Sequence, residues 1–168
     1  MAKRKITPKT FVIDASVARR AGSEYAVFPD SIRCRNFLAS VQKLAFCVAT
    51  STDIREEWKT HASRYSRKWL MQMTGRKRVV DIGNVKNDAL RSKIRLTLPH
   101  RNSQKAMEKD CMILEAALAT DKTVFSLDEN VRHLFRNAAV TVNEIKPMPI
   151  LQRTKCPRTE KPQELLAL

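Results

Sequence analysis

Short apolar runs that stop at an aspartate alternate with segments of helical periodicity, and this alternation constrains the fold more than any other feature of the chain. Phe11 to Val17 (FVIDASV) begins with aromatic and β-branched residues and turns polar at Asp14, Ala15 and Ser16, as a buried strand does where it runs out into a loop. Ser31 to Leu44 carries Ile32, Phe37, Leu38, Val41 and Leu44 near helical spacing, and Phe46 to Ala49 follows as a second short strand. Beyond it, Ile54, Trp58, Ala62, Tyr65, Trp69 and Met73 recur in steps of three or four. That stripe predicts one long amphipathic helix, capped by Thr52 or Asp53 and ended by Gly75 before Arg76-Lys77-Arg78. A helix from about Ser103 to Thr120, a strand from Thr123 to Leu127, a short helix from Asn130 to Asn137 and a last strand from Val140 to Ile145 complete the pattern. Such alternation predicts an α/β fold, a three-layer α/β/α sandwich around a mostly parallel central sheet.

The length of 168 residues suits one domain with a tail. Residues 1–146 are expected to fold, with a basic insert around 76–102, and 147–168, which holds four of the seven prolines, reads as an extended C-terminal tail. Gly22, Gly75 and Gly83 stand far apart, so neither a G-x-G-x-x-G turn nor a Walker-type loop can be built. The longest apolar run, Leu44 to Ala49, is far short of the roughly 20 residues of a membrane-spanning helix. The basic start, Met1 to Thr10, leads into a strand and not into the apolar core of an export signal, so a cytoplasmic protein without membrane contact is expected. Cys34, Cys47, Cys111 and Cys156 form no C-x-x-C, and His61, His100 and His133 form no zinc-ligand pair, which suits reduced thiols and no structural zinc.

Charge narrows the range of partners. The chain has 32 Lys and Arg against 17 Asp and Glu, a formal net charge of +15. Between Arg64 and Arg101 there are eleven Lys and Arg against only Asp81 and Asp88. A field of that size attracts polyanions, of which nucleic acid is the commonest in a cytosol; an acidic protein surface or a merely solvated face are the other readings. Aromatic content is 6%, and no strand carries a stacking pattern of the kind found in single-strand RNA modules.

In so basic a chain the informative acids are those in unfavourable places. Asp14 and Asp128 each follow an apolar run, at the carboxyl end of an expected parallel strand, where open sheets bind ligands. Either one alone also suits a turn or a helix cap. Asp110 shares a helical face with Ala106, Ile113, Leu114, Ala117 and Leu118, so it must be paired, protonated or metal-bound, unless the helix starts late and Asp110 lies in its first turn. Glu57 lies about 60° from the edge of the Ile54–Met73 stripe and can reach past Trp58 to the sheet edge, whereas Glu56 points away. Four converging carboxylates without His or Cys suit Mg²⁺ or Mn²⁺, hard cations that take oxygen ligands. In a basic protein, such a centre serves hydrolysis of a phosphodiester.

These residues resemble the PIN-domain family of metal-dependent ribonucleases, which includes the toxins of bacterial toxin–antitoxin pairs. The resemblance spans roughly Thr10 to Ile145. It is carried by FVIDAS with Asp14, IREEW with Glu57, KDCMILEAALA with Asp110, and VFSLDENV with Ser126 and Asp128. The insert between Gly75 and Asn102 and the Pro-containing tail have no counterpart in it. The resemblance implies an endoribonuclease that leaves a 5′-phosphate and a 3′-hydroxyl. It implies Mg²⁺ or Mn²⁺ held by Asp14, Glu57, Asp110 and Asp128, with Ser126 orienting Asp128. It further implies a protein antitoxin and a homodimer as partners. DNA is the alternative substrate, since nothing in the chain tells a 2′-hydroxyl from its absence. The competing readings are a catalytically inactive module of the same fold that binds nucleic acid or a partner, and a phosphoacceptor signalling domain. The latter would need an acidic pair near the end of the first strand, where only Asp14 stands.

Overall fold

Phe11, Val12 and Ile13 are all buried, so the strand that carries them, β1 (Thr10–Ile13), is covered on both faces. The computed structural model describes residues 8–97, 101–140, 142–145 and 150–151. After β1 come α1 (Ala15–Arg20), α2 (Pro29–Lys43), β2 (Cys47–Thr50), α3 (Thr52–His61), α4 (Arg64–Gly75) and β3 (Val79–Asp81). Next follow α5 (Asp88–Leu96), α6 (Arg101–Leu118), β4 (Val124–Phe125), α7 (Glu129–Ala138) and β5 (Ile150–Leu151). The sheet runs in the order β3-β2-β1-β4-β5 with every pairing parallel, which gives the three-layer α/β/α fold expected from the sequence. No helix among the described residues is long and apolar enough to cross a membrane.

The strand order positions the site. The chain leaves β1 to build β2 and β3 on one side, then returns to place β4 on the other, so the direction of winding reverses between β1 and β4. Just outside the carboxyl ends of two such strands the connecting segments diverge and leave a crevice. Packing fixes these two strands to each other. The Phe11 ring meets Phe46 at 4.6 Å and Phe125 at 5.2 Å, and Phe37 meets Phe125 at 4.5 Å. Removing one such buried ring costs about 3–5 kcal/mol. Asp14 N–H donates to the Phe125 carbonyl at 2.9 Å, carrying the ladder one residue beyond β1.

Several boundaries differ from the sequence expectation. The first strand ends at Ile13 and not at Val17, because the residues after Asp14 enter the short helix α1, which buries Ala15, Val17 and Ala18. The long amphipathic stripe is two helices. Ala62 adopts an extended conformation (φ −64°, ψ 134°), and the Ser63 hydroxyl caps α4 by accepting from Ser66 N–H at 3.3 Å. Both halves keep their apolar face, so Trp58 of α3 stacks on Trp69 of α4 with centroids 6.0 Å apart. The α3 cap is Ser51, one residue before the expected pair, with its hydroxyl accepting from Ile54 N–H.

The expected last strand, Val140 to Ile145, is not one. Residues 143–145 form a turn, and the outer strand beside β4 is Ile150–Leu151, within the segment assigned to the tail. Residues 152–168 lie outside the described residues. The basic insert contains the edge strand β3 and the helix α5, neither of which the sequence pattern revealed. Cys34, Cys47 and Cys111 are free and buried; Cys156 lies outside the described residues.

Candidate active site

One cleft of about 230 Å³ opens outside the carboxyl ends of β1 and β4 and is lined by Asp14, Glu57, Asp110 and Asp128. The four acids come from four different segments: the β1–α1 junction, α3, α6 and the β4–α7 junction. Ser16, Arg19 and His61 line the same cleft, with Met112, Ile113 and Val131 as its apolar wall.

Asp14 occupies the N-cap position of α1 but makes no capping hydrogen bond with its side chain. Its Oδ2 instead accepts from two hydroxyls, Ser126 Oγ at 2.7 Å and Ser16 Oγ. Each hydroxyl is itself held by a backbone N–H of the β4–α7 turn, Leu127 N–H to Ser16 Oγ and Asp128 N–H to Ser126 Oγ, both at 3.0 Å. A hydroxyl that accepts a fixed N–H has its proton directed elsewhere, and here both protons are directed at Asp14. The carboxylate is thereby oriented by a relay that joins the ends of β1 and β4, with Oδ1 outside that relay. Ser126, expected to orient Asp128, holds that residue's backbone N–H and also donates to the Asp14 side chain.

Asp128 caps α7, its Oδ1 accepting from Asn130 N–H at 2.9 Å. Both alternatives weighed for this residue therefore hold together: it is a cap, and it lines the cleft. Asp110 is partly buried and lies well inside α6, which begins at Arg101, so the first-turn alternative does not hold. Glu57 is half-buried on the cleft side of α3 while Glu56 is exposed, as the helical phase indicated. Trp58 fixes that phase: its indole Nε1 donates to the Ile13 carbonyl at 2.9 Å, which pins α3 against the end of β1 one residue before Asp14.

Sequence reasoning passed over Ser16, Arg19 and His61. His61 Nε2 lies 3.4 Å from Glu57 Oε2, one helical turn away, and the Glu-x-x-x-His spacing was the available signal. Ser16 stands two residues after Asp14, a spacing at which a short side chain can fold back onto a carboxylate. Arg19, in the last turn of α1, carried no pattern of its own.

A second cavity of about 360 Å³ adjoins the first, sharing Met112, and follows the sheet edge past β2 and β3. Two carboxylates line it, the exposed Asp53 and the buried Glu115, which is 3% exposed. Arg91 grips it with two parallel hydrogen bonds of 2.7 Å, and Asn87 N–H adds a third at 2.8 Å. The Glu115 hydrogen bond holds the Arg91 guanidinium above its ordinary pKa. Through this pair the basic insert is anchored to α6. Asp81 accepts from the N–H of Gly83, which lines this cavity, and from Arg55, and these bonds hold its carboxyl below the usual range.

The donor set of the first cleft suits a hard divalent cation in kind: four carboxylates from four segments, with no thiol. In the side-chain arrangement described, no three His, Cys, Asp or Glu among the described residues stand close enough together to share one ion. Fold and cleft together define a class: a parallel α/β sandwich with an acidic cleft where the winding reverses. Comparison with family models, curated proteins and solved structures finds no match to this chain.

Proposed function

We propose that the protein is a metal-dependent endoribonuclease of the PIN-domain type. The observation that supports this is the convergence of Asp14, Glu57, Asp110 and Asp128 on one cleft at the sheet's switch point, in a chain of net charge +15. Carboxylates would repel a phosphodiester, so this convergence needs a cation to make chemical sense. Mg²⁺ or Mn²⁺, held by these four residues, would supply neutralisation of the phosphate charge and activation of a water.

The chain's own groups do the rest. The Ser16–Ser126 relay holds Asp14 in one orientation, so the site is organised before substrate arrives. Arg19 presents a guanidinium at the cleft mouth, where it can take a phosphate oxygen of the strand. His61 beside Glu57 sets that carboxylate's direction. Lys and Arg of the insert hold the flanking strand through its phosphates. The products are a 5′-phosphate and a 3′-hydroxyl. As the family resemblance implies, the setting is the toxin of a toxin–antitoxin pair in the cytoplasm, with a protein antitoxin and a second copy of the chain as partners. DNA is the alternative substrate.

Labelled RNA and single-stranded DNA, incubated with Mg²⁺, with Mn²⁺ and with EDTA beside an Asp14→Asn variant, test this reading. Cleavage is expected only with metal and only in the wild type; cleavage in EDTA, or undiminished in the variant, overturns it. The second reading, a catalytically inactive PIN-like module that binds nucleic acid or a partner, is favoured by the spacing of the acids as they stand. It expects RNA binding without cleavage under every metal condition.

A further inference from the structure

Three of the most exposed large apolar side chains fall within one loop. Tyr25 is 85% exposed, Val27 79% and Phe28 73%, all between α1 and α2. Exposed apolar groups scattered singly need no explanation, but a contiguous set does. The backbone beneath them is firmly built. The Arg35 guanidinium, from α2, donates to the carbonyls of Ala21 at 3.2 Å, Ser23 at 2.8 Å and Ala26 at 2.6 Å. Tyr65 N–H of α4 donates to the Gly22 carbonyl at 3.2 Å, and Ala26 N–H to the Ser23 carbonyl at 3.2 Å. Gly22 turns the chain at φ +66°, where a Cβ would also stand 3.0 Å from that of Ala26. Two aromatic rings are thus held out to solvent on a loop that five hydrogen bonds tie down.

The surroundings of this loop are cationic. Arg19 and Arg20 are exposed and form no ion pair among the described residues, and the exposed Arg64 lies near the Glu24–Lys68 pair. The loop's own acid, Glu24, is taken up by Lys68 at 2.6 Å, and Asp30 by Arg33 at 3.4 Å. The loop also lies near the acid cleft, since Arg19 lines that cleft and Tyr25 follows six residues later. Even a fully extended chain would span only about 20 Å over that distance. Flat rings flanked by free guanidiniums are what unpaired nucleotides bind: bases stack on the rings and phosphates meet the cations.

We propose that loop 22–28 is a base-stacking platform for single-stranded RNA, with Tyr25 and Phe28 holding unpaired bases on the approach to the acid cleft. The proposal rests on the endoribonuclease reading and adds where the substrate strand lies and that it must be unpaired there. Pre-building the loop means that little ordering is needed when RNA binds.

The test is titration of a labelled single-stranded RNA of about 12 nucleotides, within the footprint of single-strand grooves, in EDTA so that nothing is cut. The Tyr25→Ala/Phe28→Ala double variant is expected to bind about ten-fold more weakly or worse. Its salt dependence should match the wild type, because stacking involves no phosphate. Both rings are exposed, so its melting temperature should be unchanged. A Tyr25→Trp variant should retain the affinity, and its added indole emission should be quenched by RNA.

A double variant that binds RNA like the wild type overturns the proposal. So does a wild-type dimer that becomes a monomer in the double variant with RNA affinity per chain unchanged, which makes the loop a self-association surface. Loss of binding to anionic phospholipid vesicles in place of RNA overturns it as well. Wild type that binds no RNA removes the enzyme reading along with this one; wild type that binds and cuts RNA while the double variant equals it removes this one alone.

Discussion

Two neighbouring cavities at the same sheet edge treat their carboxylates in opposite ways. Glu115 is saturated: a guanidinium takes both of its oxygens and a backbone N–H takes one of them again. Asp14 is only half engaged: two hydroxyls meet Oδ2, and no hydrogen bond among the described residues reaches Oδ1. A carboxylate with every oxygen matched to a cation is a structural fastener, whereas one aimed by neutral donors keeps its charge for something else. The difference is invisible in composition, since both residues are acids in a basic chain, Glu115 within α6 and Asp14 at the end of β1.

Glu115→Ala should give the largest effect on stability and little on chemistry. It leaves Arg91 and Asn87 N–H without their partner, for a loss of about 3 kcal/mol. At about 2–4 °C per kcal/mol in a chain of this size, melting should fall by about 6–12 °C, read by thermal denaturation. Asp14→Asn should do the reverse, with cleavage down about 100-fold or more and melting almost unchanged. If Asp14→Asn unfolds the protein while Glu115→Ala abolishes only activity, the contrast between the cavities is wrong. Glu57→Gln against Glu56→Gln sharpens it within one helix: about ten-fold or more in cleavage rate for the first, none for the second. Ser126→Ala should reduce cleavage by up to about ten-fold, because Ser16 still donates to Asp14; the Ser16→Ala/Ser126→Ala pair should lose more than the two singles combined.

The smallest effect concerns Cys111, next to Asp110. Burial pushes its thiol up to about 11, from 9.0. A raised value means that the fold favours the neutral thiol, so this contribution is intact below about pH 9 and is lost as pH rises through about 11. Wild type should therefore lose melting temperature more steeply than Cys111→Ala over that window, and native Cys111 should resist iodoacetamide at pH 8 while the unfolded chain reacts.

Much of this was legible in the residues. Apolar runs ending at Asp14 and Asp128 marked strand ends, because a carboxylate is tolerated only where a strand leaves the core. The helical phase chose Glu57 over Glu56, and the stripe around Asp110 marked a carboxylate that could not be idle. What escaped was settled at a distance. The break at Ala62 was hidden because both halves of the stripe remain apolar, and only Ser63 signalled it. The edge strand β3 has three residues and an exposed outer half, so it carries almost no periodic signal; α5 had an Asn87 cap and a Leu90/Ile94 pair, too brief to stand out among its charges. Strand β5 depends on β4 as a template. The Arg35 clasp on loop 22–28 joins residues nine to fourteen positions apart without any local pattern.

The pairing of Val12 with Val124 has a consequence for how the molecule comes into being. The ribosome releases the first of these residues long before the second, at about 5–20 residues per second, and until then the central strand lacks one of its two neighbours. Asp14 has no Ser126 hydroxyl and no Asp128 beside it during that interval. The four acids of the cleft therefore come together only once the chain has been made past Asp128.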